Sequence, residues 1–231
     1  MTGLPSLHQR IARCQSDQRA RPVFVCCFGD SNTRGWGNES IQYRESYPTR
    51  LIEALHDRYP GCPFNGINSG EPGDTVTQAL GRLERDVLRY EPDLTIVAFG
   101  VNDAMGGLEQ LPLFERSLRT AMTAILTRSA VIVLTPNMMA TCVTPLAPDP
   151  YQDVIDAYIA VQTGGVLDAY VTVIRTVASE MDVPVADAYR TWREMEATGV
   201  NTTRLLANGI NHPFGHAHES TKNSGVSGCY L

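Results

Sequence analysis

Apolar residues fall into short runs separated by longer segments of helical periodicity. Val23-Phe24-Val25-Cys26-Cys27-Phe28 is six apolar residues in a row, the pattern of a strand buried on both faces in a parallel sheet. Further strands are predicted over 64–68, 94–99, 131–134 and 183–186. Between them, apolar residues share single helical faces. Leu51, Ile52, Leu55 and Tyr59 do so in a helix over 48–59, opened by Pro48 and ended by Pro60-Gly61. Leu80, Leu83 and Val87 do so over 76–90, capped by Asp74 or Thr75. Leu118, Met122, Ile125 and Leu126 do so over 113–128. The stretch 151–181 is helical but broken at Gly164-Gly165, with Val166, Tyr170, Val173, Ile174 and Val177 in its second half. Short helices are predicted over 191–197 and around 8–14, and the proline-rich 135–150 reads as a long irregular loop.

Five strands alternating with helices predict an α/β fold: a five-stranded parallel sheet, helices on both faces, right-handed crossovers. No repeat or linker interrupts the pattern. One domain over 22–218 is expected, preceded by a surface lead-in over 1–21 and followed by a polar tail over 219–231. A chain of 231 residues buries roughly 70% of its unfolded surface and needs neither disulfide nor metal to fold.

The formal charge is −6, and Lys222 is the only lysine, so there is no basic stripe for a nucleic-acid backbone or an anionic membrane surface. Cys14, Cys26, Cys27, Cys62, Cys142 and Cys229 are scattered, with no Cys-x-x-Cys spacing. Residues 1–21 lack the apolar core of a secretory signal, and no run has the length of a membrane span. A cytoplasmic setting is the expectation, without cofactor. Gly35-Trp36-Gly37 lacks the third glycine of a dinucleotide motif, and no Walker pattern occurs.

Chemistry concentrates where strands end. Gly29-Asp30-Ser31-Asn32, Gly73-Asp74-Thr75 and Gly100-Val101-Asn102-Asp103 follow the first three strands, and Asn211-His212-Pro213 comes late in the chain. Turns on one edge of a parallel sheet converge although they are distant in sequence, and that edge is where open α/β folds bind ligands. Acyl transfer to serine needs a hydroxyl, a base within reach and donors aimed at the developing oxyanion. Ser31 supplies the first and His212 the second. The N–H groups of Ser31 and Gly73 and the Asn102 amide supply the third. Glycine at 73 suits a close substrate approach with no room for a Cβ.

These four motifs, in this order and over about 22–216, resemble the SGNH hydrolases, also called GDSL-like esterases and lipases. The resemblance implies a flavodoxin-like three-layer α/β/α sandwich. It also implies Ser31 as nucleophile, Gly73 and Asn102 in the oxyanion hole, and His212 as general base and then acid. Asp30 would shape the turn and Asp103 would be a structural neighbour. The implied function is a serine esterase or acylhydrolase acting on a small-molecule ester with a short or carbohydrate-linked acyl group, through a Ser-bound acyl-enzyme. The alternative is a weak or inactive member of the fold that binds a carbohydrate or acylated ligand.

Two departures from the family stand out. Its aspartate three residues before the histidine is replaced by Gly209, and the nearest candidate to orient the ring is Asn208, four residues before His212. Asp187, after the fifth strand, is a remote candidate for the acid, and a backbone carbonyl is another acceptor for Nδ1–H. The tail lacks the family's closing amphipathic helix, which would leave part of a sheet face or a helix uncovered. His212, His216 and His218 raise a metal reading, since three of the five histidines lie within seven residues. Trp36, Tyr43 and Tyr47 are expected either to line the substrate mouth or to pack.

Overall fold

The computed structural model describes residues 4–17, 19–37, 40–145 and 152–213. Its strands are β1 (Val23–Gly29), β2 (Phe64–Gly70), β3 (Leu94–Ala98), β4 (Ala130–Leu134) and β5 (Val185–Ala186). All pair in parallel, in the order β2-β1-β3-β4-β5. This is the flavodoxin-like order, and it reverses direction beside β1 and β3. β5 is shorter than the apolar pattern suggests, because Pro184 has no N–H to give the ladder and contributes only its carbonyl, to Val133 N at 3.0 Å.

The helices are α1 (Leu4–Ser16), α2 (Ser31–Arg34), α3 (Tyr47–Arg58), α4 (Val76–Ala79), α5 (Leu83–Asp86), α6 (Val101–Ala104), α7 (Leu111–Leu126), α8 (Gln152–Thr163), α9 (Val166–Glu180) and α10 (Ala188–Ala197). Strand residues alternate between the two helical layers, as the two-residue period requires. Cys26, Phe28, Val97, Val131 and Val133 join Val76, Leu118, Ile125 and Ile174 in the larger core. Val23, Val25, Cys27, Leu94 and Ile96 pack with Leu7, Ile11 and Cys14 of α1, and with Leu51 and Ile52 of α3.

The N-terminal segment is therefore more than a surface lead-in. Leu7, Ile11 and Cys14 lie on one face of α1 and are buried, so this helix is part of the second layer. Among the described residues no single helix is long and apolar enough to cross a membrane.

The predicted helix over 76–90 is broken. α4 gives way to a 3-10 turn at Leu80–Arg82, then α5, then a second 3-10 turn at Leu88–Tyr90. The break delivers Arg82 beneath the sheet edge. Its guanidinium donates to Ser69 O at 2.8 Å, to Gly29 O at 2.9 Å and to Asp74 Oδ2 at 2.6 Å. It also lies over the Phe28 ring, 4.8 Å from the centroid.

Replacing Arg82 by Met should cost about 3 kcal/mol in urea denaturation, because it removes the side-chain donors to Ser69 O and Asp74 and leaves Gly29 O to Glu71 N. Arg82→Lys should recover only part of the loss, since an ammonium lacks the planar fork.

Candidate active site

The strand order sets the carboxyl ends of β2, β1 and β3 side by side, and a candidate loop leaves each. Ser31 is the first residue of α2, directly after β1. Asp30 caps this turn, its Oδ1 accepting from Asn32 N at 2.9 Å. The Ser31 N–H occupies a first-turn position where no intrahelical acceptor exists. The turn lies tight on the sheet: a Cβ at Gly29 would overlap Thr33 Oγ1, and one at Gly70 would overlap the Arg34 nitrogen.

The loop after β2 is anchored by Glu71 N, which donates to Gly29 O at 3.0 Å. Gly73 has φ 82°. A Cβ there would meet nothing within 4 Å, so the left-handed backbone selects glycine at this position, and crowding within the protein does not. Thr75 caps α4 and forms a reciprocal capping box with Gln78. Asp74 instead receives Arg82.

From β3, Asn102 Nδ2 donates to Asp74 O at 2.9 Å. Asp103 accepts from Val76 N at 2.9 Å and from Gly100 N at 3.1 Å. The loops after β2 and β3 are thus stitched together across the end of β1, where Ser31 stands.

His212 arrives from a loop closed by Ala207 N donating to His212 O at 2.6 Å and by a Leu206–Pro213 bridge. This loop docks on the segment after β4: Ala140 N donates to Ile210 O at 2.7 Å, and Asn137 Nδ2 to Asn211 O at 3.0 Å. Asn32 Nδ2 in turn donates to Asn137 Oδ1 at 3.2 Å, so Asn137 joins the histidine loop to the serine turn. The sequence reading missed Asn137. Its one signal is its place just past a fourth strand on the same edge.

His212 Nε2 lies 2.9 Å from Ser31 Oγ, across 181 residues of chain. On the other side of the ring, Asn208 Nδ2 lies 2.7 Å from Nδ1 and 2.9 Å from Asn211 Oδ1. Asn208 Oδ1 accepts from Ile210 N, Asn211 N and His212 N, each at 3.0 Å. Asp187 is remote from this constellation: it caps α10, accepts from Thr135 Oγ1 and pairs with Arg175 at 3.0 Å. It is not the acid behind His212. Tyr47 packs inward with its hydroxyl 3.0 Å from Thr33 Oγ1, whereas Trp36 and Tyr43 stay 38% and 52% exposed. His216, His218 and the tail over 219–231 lie outside the described residues. Among those described, no three His, Cys, Asp or Glu side chains are placed to hold a metal ion.

Burial lowers the His212 pKa to about 4, leaving a neutral imidazole against the serine hydroxyl. Burial also raises Asp30 to about 7, with Asp103 adding repulsion, and raises Asp103 itself to about 7. A hydroxyl, a neutral imidazole and donors from three elements are the parts that acyl transfer requires.

A family model described as GDSL-like Lipase/Acylhydrolase matches residues 27–219. An uncharacterized lipoprotein of Bacillus subtilis, YqeF, is 27% identical over 203 residues, covering 83% of this chain and 81% of its own length. An arylesterase of Vibrio mimicus is 32% identical over 79 residues, 34% of this chain and 37% of its own. Among solved structures, a lipase/acylhydrolase from Enterococcus faecalis superposes with a TM-score of 0.62 at 24% identity, over 83% of this chain and 87% of that one. An acetylxylan esterase from Geobacillus stearothermophilus does so with a TM-score of 0.61 at 21% identity, over 83% and 86%.

Asp30 binds its proton more tightly folded than unfolded, so its contribution to stability is full below about pH 4 and is lost as pH rises through about 7. Asp30→Asn keeps the cap and removes the charge. Urea denaturation should show the variant near wild type at pH 4 and on the order of 2 kcal/mol more stable than wild type at pH 8.

Proposed function

The chain belongs to the GDSL-like lipase/acylhydrolase family of ester hydrolases, and on that footing we propose a serine esterase that cleaves short or carbohydrate-linked acyl esters through a Ser31 acyl-enzyme. The observation that carries this reading is the 2.9 Å contact between Ser31 Oγ and His212 Nε2 at the carboxyl edge of the sheet. Ser31 Oγ attacks the ester carbonyl carbon as its proton passes to His212, a step that requires the ring tautomer with a bare Nε2. The carbonyl oxygen gains negative charge and takes hydrogen bonds from the Ser31 and Gly73 N–H groups and the Asn102 amide. One Asn102 N–H is engaged by Asp74 O, which orients the amide and leaves the second for the oxyanion. Collapse expels the alcohol, protonated by His212, and water repeats the sequence to release the acid.

The acyl preference draws support from the names of the relatives: an acetylxylan esterase acts on a sugar polymer that bears a small acyl group, and an arylesterase acts on an aryl ester. A second reading, a weakly active or inactive protein that binds such ligands, is favoured by one observation. Asn208, a neutral amide, stands at His212 Nδ1 where a carboxylate would stabilise the imidazolium.

Hydrolysis of p-nitrophenyl acetate and butyrate separates the two readings. Ser31→Ala should bring turnover to the buffer rate, and Asn102→Ala should lower kcat by about 10²–10³-fold. Equal, background rates in wild type and Ser31→Ala would reject the esterase and favour the binding protein.

A further inference from the structure

The amide of Asn208 has a fixed orientation. Three backbone N–H groups, from Ile210, Asn211 and His212, point at one atom of it. Backbone N–H groups only donate, so that atom is the carbonyl oxygen. The other end is therefore NH2, with Asn211 Oδ1 at 2.9 Å and His212 Nδ1 at 2.7 Å. An NH2 group offers hydrogens and no lone pair. Nδ1 must then present its own lone pair, and a neutral imidazole with a bare Nδ1 carries its proton on Nε2.

That nitrogen is the one facing Ser31 Oγ at 2.9 Å. We propose that Asn208 holds His212 as the Nε2–H tautomer, donating to Ser31 Oγ, so that the lone pair needed to accept the serine proton is turned away from it. The inference rests on the esterase reading for its consequence, but its geometry stands independently of activity. Asn208 acts through His212 and is a positioning residue. Turning its amide over to accept from an Nδ1–H would set two hydrogens against three backbone donors, so the loop that holds the histidine also resists the reactive tautomer. The arrangement differs from simple absence of an acid: an empty position would leave both tautomers open, whereas this amide selects one.

A carboxylate at 208 reverses the selection. One oxygen can keep the three N–H groups, and the other can accept from an Nδ1–H, which frees the Nε2 lone pair for Ser31. The Asn211 amide then needs only to turn so that its NH2 faces the new oxygen. Asn208→Asp is thus expected to gain activity. An amide in place of the acid costs about 10⁴ in turnover in a serine protease triad, which sets the upper scale of the gain.

The test begins with the ring itself. Long-range ¹H–¹⁵N correlation on ¹⁵N-histidine-labelled protein, with His212 assigned by its loss in His212→Gln, reads which nitrogen is protonated. Wild type should show a protonated Nε2 and a bare Nδ1, and Asn208→Asp the reverse. A protonated Nδ1 in neutral wild-type His212 overturns the proposal whatever the activity. The kinetic arm is kcat/KM toward p-nitrophenyl acetate across pH. Asn208→Asp should raise kcat by about 10²–10⁴-fold with little change in KM. It should also move the acid limb up from about 4, because a carboxylate favours the imidazolium; burial alone sets the wild-type value. A variant no faster than a measurably active wild type also overturns the proposal. If neither protein turns over ester, the esterase reading fails and the tautomer is still decided by the spectrum. Intact mass is read on each sample, because Asn208 precedes Gly209 and loss of ammonia through a cyclic imide, then opening by water, would convert wild type to aspartate and isoaspartate at 208.

Discussion

One buried guanidinium joins the carboxyl ends of β1 and β2. Arg82 takes the carbonyls of Gly29 and Ser69 and grips Asp74, and the same Asp74 receives Asn102 on its backbone oxygen. A parallel sheet leaves strand-end carbonyls without partners at the edge where ligands bind. Closing that edge with loops would bury those carbonyls at a cost of about 1–3 kcal/mol each if unpaired. Arg82 supplies the donors from a position behind the loops, so the front remains open. The 3-10 turn at Leu80–Arg82, between α4 and α5, is where this side chain leaves the backbone.

Much of the architecture is legible from apolar runs. The five strands, the break at Gly164-Gly165 and the position of Ser31 past β1 follow from runs of residues that need only local reading. Features that depend on distant partners are not legible in the same way. Nothing around Arg82 marks it as buried until Ser69 and Gly29 are placed beside it. The 1–21 segment reads as polar, yet three residues of α1 at helical spacing join the second layer beside α3. Asn137 has no motif of its own, and its role exists only once Asn32 and Asn211 are brought to it. Gly73 is legible as a special position from the expected substrate approach, and its backbone adds a second reason in a φ of 82°.

The histidine loop separates two tasks that a triad carboxylate performs together. Its first is structural: an oxygen that gathers successive N–H groups and turns the chain so that the imidazole faces the serine. Asn208 does this with three bonds of 3.0 Å. Its second is electronic: an acceptor for Nδ1–H with a negative charge to stabilise the imidazolium. The amide has a donor at that place instead. The amide thus performs the structural task, and His212 Nε2 stands 2.9 Å from Ser31 Oγ with no carboxylate behind the ring. A short distance between a serine and a histidine establishes that they meet, and the proton's location depends on the atom behind the ring.

The same neutrality extends through the site. Burial holds His212 uncharged down to about pH 4, and holds Asp30 and Asp103 largely protonated below about pH 7. Removing charge from water costs more than two neutral partners recover, so a buried cluster at the sheet edge settles into uncharged forms unless a counter-ion is built in. Here the buried guanidinium of Arg82 is spent on Asp74 and strand carbonyls behind the loops, and Arg34 donates to Gly70 O. A developing oxyanion would meet dipoles alone: the first-turn N–H of Ser31, the N–H of Gly73 and one N–H of Asn102. Dipoles held in place need no reorganisation when charge appears, which suits oxyanion stabilisation. The positive charge that the proposed mechanism places on His212 has no such provision at Nδ1, where Asn208 sets a donor and no counter-charge.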